Sequence, residues 1–146
     1  MGQNTSYICF PDLTLKIWDI GGQHSLRRLW SSYYTCSHAI VFVIDSADPE
    51  RLLATSEVQI ALQEVVKNED VEGVPVLVLA NKQDRDEAVE IAKVKEVVLA
   101  VLVGLGARDS RVLPVSALEG RGVREAVEWL RTRVKWNREA RPPVLR

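Results

Sequence analysis

Residues 18–23 read Trp-Asp-Ile-Gly-Gly-Gln. An apolar run (Leu13, Leu15, Ile17) ends in a carboxylate, two glycines and an amide. These types suit a phosphate-and-metal site. Asp19 could hold Mg²⁺ through a water. Gly22 could offer its backbone N–H to a terminal phosphate, and Gln23 could orient an attacking water. The same residues would also serve as a plain strand-end turn.

A second set follows another apolar run. In Asn-Lys-Gln-Asp (81–84), Asp84 can accept two hydrogen bonds from adjacent N–H donors, such as the N1–H and amine of guanine. Charge-assisted, bidentate pairing is strong and selective. Adenine would leave that carboxylate unpaired. Asn81 would tie the loop to its neighbours, and the stem of Lys82 would cover the base plane. A third set, Ser116-Ala117-Leu118, ends the last apolar run. A backbone N–H at Ala117 could meet a carbonyl such as guanine O6. Taken singly, the second set also reads as a polar loop and the third as a helix N-terminus.

The elements needed to position these groups are legible. Continuous apolar runs at 39–45 and 74–82 fit parallel strands covered on both faces. The stretch 14–20 alternates, and 5–10 joins it through Pro11-Asp12 as an antiparallel partner. A weaker strand at 110–117 contains Pro114, which suits a sheet edge. Helical periodicity predicts helices over 50–68, 86–103 and 121–138, and a helix between the second and third strands. The alternation predicts an α/β fold with a mainly parallel sheet and helices on both faces. In such folds ligands bind beyond the carboxyl ends of the strands. Asp19, Asn81 and Ser116 are therefore expected on one rim.

Composition narrows the alternatives. The 146 residues are 47% apolar and 27% charged, which favours one domain over 1–146 with a basic tail at 139–146. A net charge of −1 gives no sign of nucleic acid as a partner. The run at 97–106 is too short to span a bilayer. Cys9 and Cys36 lack metal-ligand spacing and are expected to be buried.

The three motifs, in this order and each at a strand end, resemble a Ras-like small GTPase. Trp-Asp-Ile-Gly-Gly-Gln followed by "LRRLWSSYY" (26–34), with "VIDSADPERL" and "VLVLANKQD", is most similar to the Arf branch, and within it to the Golgi Arf-related members. The resemblance covers essentially the whole chain. It implies GTP/GDP and Mg²⁺ as ligands, an exchange factor, an activating protein and trafficking effectors as partners, and a peripheral place on Golgi membranes. It also implies that Trp18, Trp30, Tyr33 and Tyr34 form an effector surface, although these aromatics could equally be core contacts.

One expected piece is not among these residues. No G-x-x-x-x-G-K-[ST] phosphate loop occurs in the 146 residues. Met-Gly-Gln-Asn at the start resembles the interior of the family's first switch, so Met1 is expected to be an internal methionine. A strand missing between 14–20 and 39–45 would leave both edges open. Gly2 also fits the N-myristoylation pattern, which the same reading makes an accident of position. Two functions follow as expectations. One is an Arf-type GTPase of Golgi and vesicle traffic, with binding and hydrolysis compromised in this chain. The other is a nucleotide-independent module that engages Arf-type partners.

Overall fold

The structure, a computed structural model, describes residues 3–103 and 109–140. Met1, Gly2 and the tail cations Arg141 and Arg146 lie outside the described residues. Among the described residues, no helix is long and apolar enough to cross a membrane.

Strands β1 (Gln3–Cys9) and β2 (Thr14–Ile20) form an antiparallel hairpin. Its turn is closed by the Phe10 N–H, which donates to the Leu13 carbonyl at 2.8 Å. Strands β3 (Ile40–Asp45), β4 (Val76–Asn81) and β5 (Ser110–Pro114) form a parallel sheet in the order β3-β4-β5. The expected strand runs are present: β2 has the expected bounds, β1 starts two residues earlier and ends one sooner, and the three parallel strands are trimmed by a residue or more. Pro114, which cannot donate, is the last residue of an edge strand, as its chemistry requires.

The central strand explains its own sequence. Val76, Val78 and Ala80 face a core built with Ile44, Leu62, Val94 and Val98. Leu77 points the other way, onto Leu113, Val115, Ala126 and Trp129. Successive side chains of a strand alternate faces, and here both faces are covered, so the run is continuously apolar. Helices α1 (Glu57–Val66) and α2 (Ile91–Val103) supply one cover, and α3 (Val123–Ala140) the other.

Three expectations need correction, while the helix expected between the second and third strands is present in 3₁₀ form. The helix expected over 50–68 is two pieces, a π-helical turn at Glu50–Ala54 and then α1, divided at Ser56, whose φ is 58°. Left-handed backbone cannot continue a right-handed helix. The helix expected from 86 begins at Ile91, after a turn. The connection from β2 to β3 is a 3₁₀ helix, His24–Cys36. Cys9 is exposed, because it sits on a two-stranded hairpin with little to cover it, while Cys36 is buried.

The hairpin is a sheet of its own. Among the described residues, no strand lies between β2 and β3, and β3 pairs with β4 alone. Val41 and Val43 on β3 are 40% and 60% exposed as a result. The hairpin is tied instead to α3, near the other end of the sequence. Asp12 in its turn accepts from Arg131 Nε and from Lys135 Nζ of α3, both at 3.1 Å. The Arg131 guanidinium also lies over the Phe10 ring, 4.8 Å from its centroid.

Candidate functional site

The carboxyl ends of β4 and β5 make one joined structure. Asn81, the last residue of β4, accepts through Oδ1 from the Ala117 N–H at 3.0 Å. The Ser116 hydroxyl donates to Asp84 Oδ1 at 2.8 Å and accepts from the Glu119 N–H at 3.2 Å. Ser116 is fully buried. The Gln83 N–H donates to the Val115 carbonyl at 3.1 Å, which locks the two loops together. These bonds satisfy loop backbone that the strands leave unpaired.

Asp84 keeps acceptor capacity. Among the described residues, only Ser116 donates to its carboxylate. An ionised carboxylate has about four lone-pair sites. The remaining lone pairs on its two oxygens suit the paired donors expected for a guanine edge. The Ala117 N–H, expected to meet guanine O6, is instead taken by Asn81. The next N–H, at Leu118, has no acceptor among the described residues, and the Leu118 side chain is 86% exposed. That N–H is the one left open to a carbonyl acceptor at this end of the loop.

Lys82 is held at a positive φ of 65°. A residue other than glycine in that region costs of order 1–3 kcal/mol, and its surroundings must hold it there. Its ammonium donates to Asp45 Oδ2 at 2.8 Å. Burial pushes the Asp45 carboxyl up, but the bond from Lys82 and the Ala47 N–H together hold it below its ordinary value. Asp45, Ser46 and Gln83 were not marked by the motif reading. Gln83 Nε2 donates to the buried Ser46 Oγ at 2.9 Å. The only sequence signal was position: Asp45 and Ser46 end an apolar run, as Asp19 does.

The third motif stands apart. Asp19 is exposed and lies on β2, in the other sheet. Among the described residues, no hydrogen bond joins it to the end of β4 or β5, and β2 belongs to a different sheet. One exposed carboxylate fits a metal held through a water, since Mg²⁺ keeps several waters and takes its other oxygens from phosphates. No cluster of three or more metal-ligating side chains occurs among the described residues. A Cβ at Gly22 would meet nothing within 4 Å. Space in front of its backbone is thus open to a phosphate. Gln23 is exposed at the start of the 3₁₀ helix.

The turn between Asp19 and Gln23 is braced from behind. Arg27 Nε donates to the Gly22 carbonyl at 3.2 Å, and its Nη2 pairs with Glu57 of α1 at 2.8 Å. Trp30 Nε1 donates to the Gly21 carbonyl at 3.0 Å. The expected aromatic surface divides. Trp18 and Tyr33 are half-buried and pack with centroids 5.5 Å apart. Tyr34 is buried with Val65, Val71 and Val74, and burial raises its hydroxyl pKa. Of the two expectations for Tyr34, its packing fits the core contact. Trp30 packs against the same cluster, edge-on to Phe42 at 6.3 Å.

A groove of about 540 Å³ runs between α1 and α2, lined by Gln59, Gln63, Lys67, Glu96 and Val97 among others. It shares no residue with either piece of the site, and the bonding described above is where polar groups converge.

A model of the ADP-ribosylation factor family matches residues 1–134. ADP-ribosylation factor-like protein 3 of Saccharomyces cerevisiae is 49% identical over 145 residues, which cover 99% of this chain and 72% of that protein. ADP-ribosylation factor-related protein 1 of Homo sapiens is 41% identical over 130 residues, covering 89% of this chain and 63% of that protein. The chain thus spans less than two thirds of the second relative. Among solved structures, the Arl6 BBS3 small GTPase from Trypanosoma brucei with bound nucleotide analogue GppNp superposes with a TM-score of 0.83. It is 29% identical and covers 94% of this chain and 81% of that one.

Proposed function

The chain belongs to the ADP-ribosylation factor family of small GTPases and has the Ras-like fold, and on that premise we propose that it carries the base-recognition and switch half of a guanine-nucleotide-dependent switch in Golgi membrane traffic. Asp84 reads the guanine edge, braced by Ser116. The Leu118 N–H faces the base carbonyl, and the stem of Lys82 covers the plane. Asp19 holds Mg²⁺ through a water, the Gly22 N–H meets the terminal phosphate, and Gln23 orients the attacking water. When bound there, Mg²⁺ would neutralise charge on the phosphate oxygens. Trp18 and Tyr33, beside the Gly-Gly turn, report nucleotide state to effectors, with exchange and activating proteins as the further partners. The observation that carries the reading is the Asp84 carboxylate, half satisfied by Ser116 and otherwise open.

Phosphate contacts are the weak side. With no G-x-x-x-x-G-K-[ST] among these residues, some four charged hydrogen bonds are absent, each contributing about 1.5–3 kcal/mol. That is roughly 6 kcal/mol or more, or on the order of 10⁴-fold in affinity. This observation favours a second reading for the 146-residue polypeptide alone: a module that engages Arf-type partners through Trp18 and Tyr33 without nucleotide.

Competition among guanine, xanthine and adenine nucleotides tests the first reading. Xanthine carries a carbonyl where guanine carries the amine. Asp84→Asn is therefore expected to lose guanine binding and gain xanthine binding. Equal binding of all three bases by the parent would overturn it. Effector capture unaffected by nucleotide would favour the second.

A further inference from the structure

We propose that Asp45 is a positioning residue for the nucleotide base, holding the Lys82 ammonium at the end of β3 so that the lysine stem is laid over the base plane before the base arrives. The proposal rests on the base-site reading above.

Asp45 is the last residue of β3 and sits opposite Asn81 in the parallel register. Its two oxygens have separate tasks. Oδ1 accepts from the Ala47 N–H at 2.9 Å, which sets the carboxylate plane. Oδ2 accepts from Lys82 Nζ at 2.8 Å. The lysine stem therefore bridges the gap between two neighbouring strand ends. The next residue repeats the arrangement. Ser46 donates its N–H to the Asn81 carbonyl at 3.1 Å, and its hydroxyl accepts from Gln83 Nε2 at 2.9 Å. The end of β3 thus grips Lys82 and Gln83, while the end of β5 grips Asp84 through Ser116.

Stability does not explain the pair. Both side chains are more than two-fifths exposed, and exposed pairs contribute little to folding. Geometry does explain it. A lysine on a solvated loop has many rotamers, and fixing one costs entropy on binding. Asp45 removes that freedom in advance, and groups set before binding cost less to order. The left-handed backbone at Lys82 starts the stem in the direction that Asp45 completes.

The test uses the 146-residue chain, labelled with ¹⁵N, and the nucleoside guanosine, which needs no phosphate contact. Guanosine is expected to shift the amides of 81–84 and 116–118, and adenosine to leave them unmoved. Asp45→Asn is expected to weaken guanosine about fivefold, with the rest of the spectrum unchanged. Asp45→Glu is expected to recover most of that loss. Lys82→Met is expected to match Asp45→Asn, and the double variant to be no weaker than Lys82→Met alone. Parent-like binding by Asp45→Asn, no recovery by Asp45→Glu, or additive losses would overturn the proposal alone. A parent chain that does not distinguish guanosine from adenosine would overturn the base-site reading, and the proposal with it.

Discussion

Ser116 and Asp84, 32 positions apart, are joined by a 2.8 Å hydrogen bond from a hydroxyl that has no exposure to solvent. The bond fixes one carboxylate oxygen and leaves the other for a ligand. Ser116→Ala removes the donor to Asp84 and the acceptor of the Glu119 N–H at once. The expected cost is about 1–2 kcal/mol of stability, read from chemical denaturation. Base selectivity should fall with it in nucleoside competition. Unchanged selectivity would show that Asp84 does not depend on this brace.

Gly122 offers a sharper steric test. Its φ is +78°, and a Cβ there would lie 2.5 Å from the Pro114 carbonyl and 2.9 Å from Val115 Cγ1. Neither the Pro114 carbonyl nor the Val115 side chain can yield cheaply, because β5 and α3 are packed through the core that holds Val115 and Ala126. Gly122→Ala is expected to destabilise by roughly 2 kcal/mol or more. Gly120→Ala has the same φ sign but meets nothing, so its thermal midpoint should fall less. Equal shifts would remove the steric argument.

Asp12 should make the hairpin acid-sensitive. The hydrogen bonds from Arg131 and then Lys135 hold its carboxyl below the ordinary value. The folded pKa therefore lies under the unfolded one. The clamp's contribution is complete above about pH 4, and is lost as pH falls through the lowered value. Amide exchange in 14–20 is expected to quicken over that acid range, and at neutral pH in Asp12→Asn. High salt should weaken the clamp, since the ions are solvated. Exchange rates that ignore salt and Asp12→Asn alike would show that packing alone holds the hairpin.

The outer edge of β3 should associate. It shows unpaired backbone beside Val41 and Val43, and nothing among the described residues pairs with it. Such an edge is a template for another chain. The 146-residue polypeptide is expected to self-associate, and Val43→Lys to suppress this, in sedimentation velocity. A monomeric parent at high concentration would contradict the expectation.

Much of the molecule was legible in order of residues alone. Hydrophobic runs marked β2 to β5, because a strand must be apolar wherever its faces are covered, while β1, largely exposed, was read from the Pro11-Asp12 turn that joins it to β2. Helix ends were less legible. Nothing local at Thr55-Ser56 announces the left-handed break before α1, since serine tolerates many backbone states and packing selects one. The aromatic cluster was left open between surface and core for a related reason. Tyr33 and Tyr34 are adjacent and alike, and only the seat of the 3₁₀ helix against Val65 and Val71 sends Tyr34 inward.

The motif residues, their order and the family they mark were determined by sequence, because hydrogen-bonding capacity belongs to residue type and spacing to the chain. Who bonds to whom was decided by tertiary structure. The Ala117 N–H goes to Asn81, Lys82 goes to Asp45, and Asp19 lies in a sheet separate from Asn81 and Ser116. The two bonds join segments 36 and 37 positions apart. Such contacts form only when β3, β4 and β5 bring their ends together, and no local pattern encodes which of several eligible donors arrives within 3 Å.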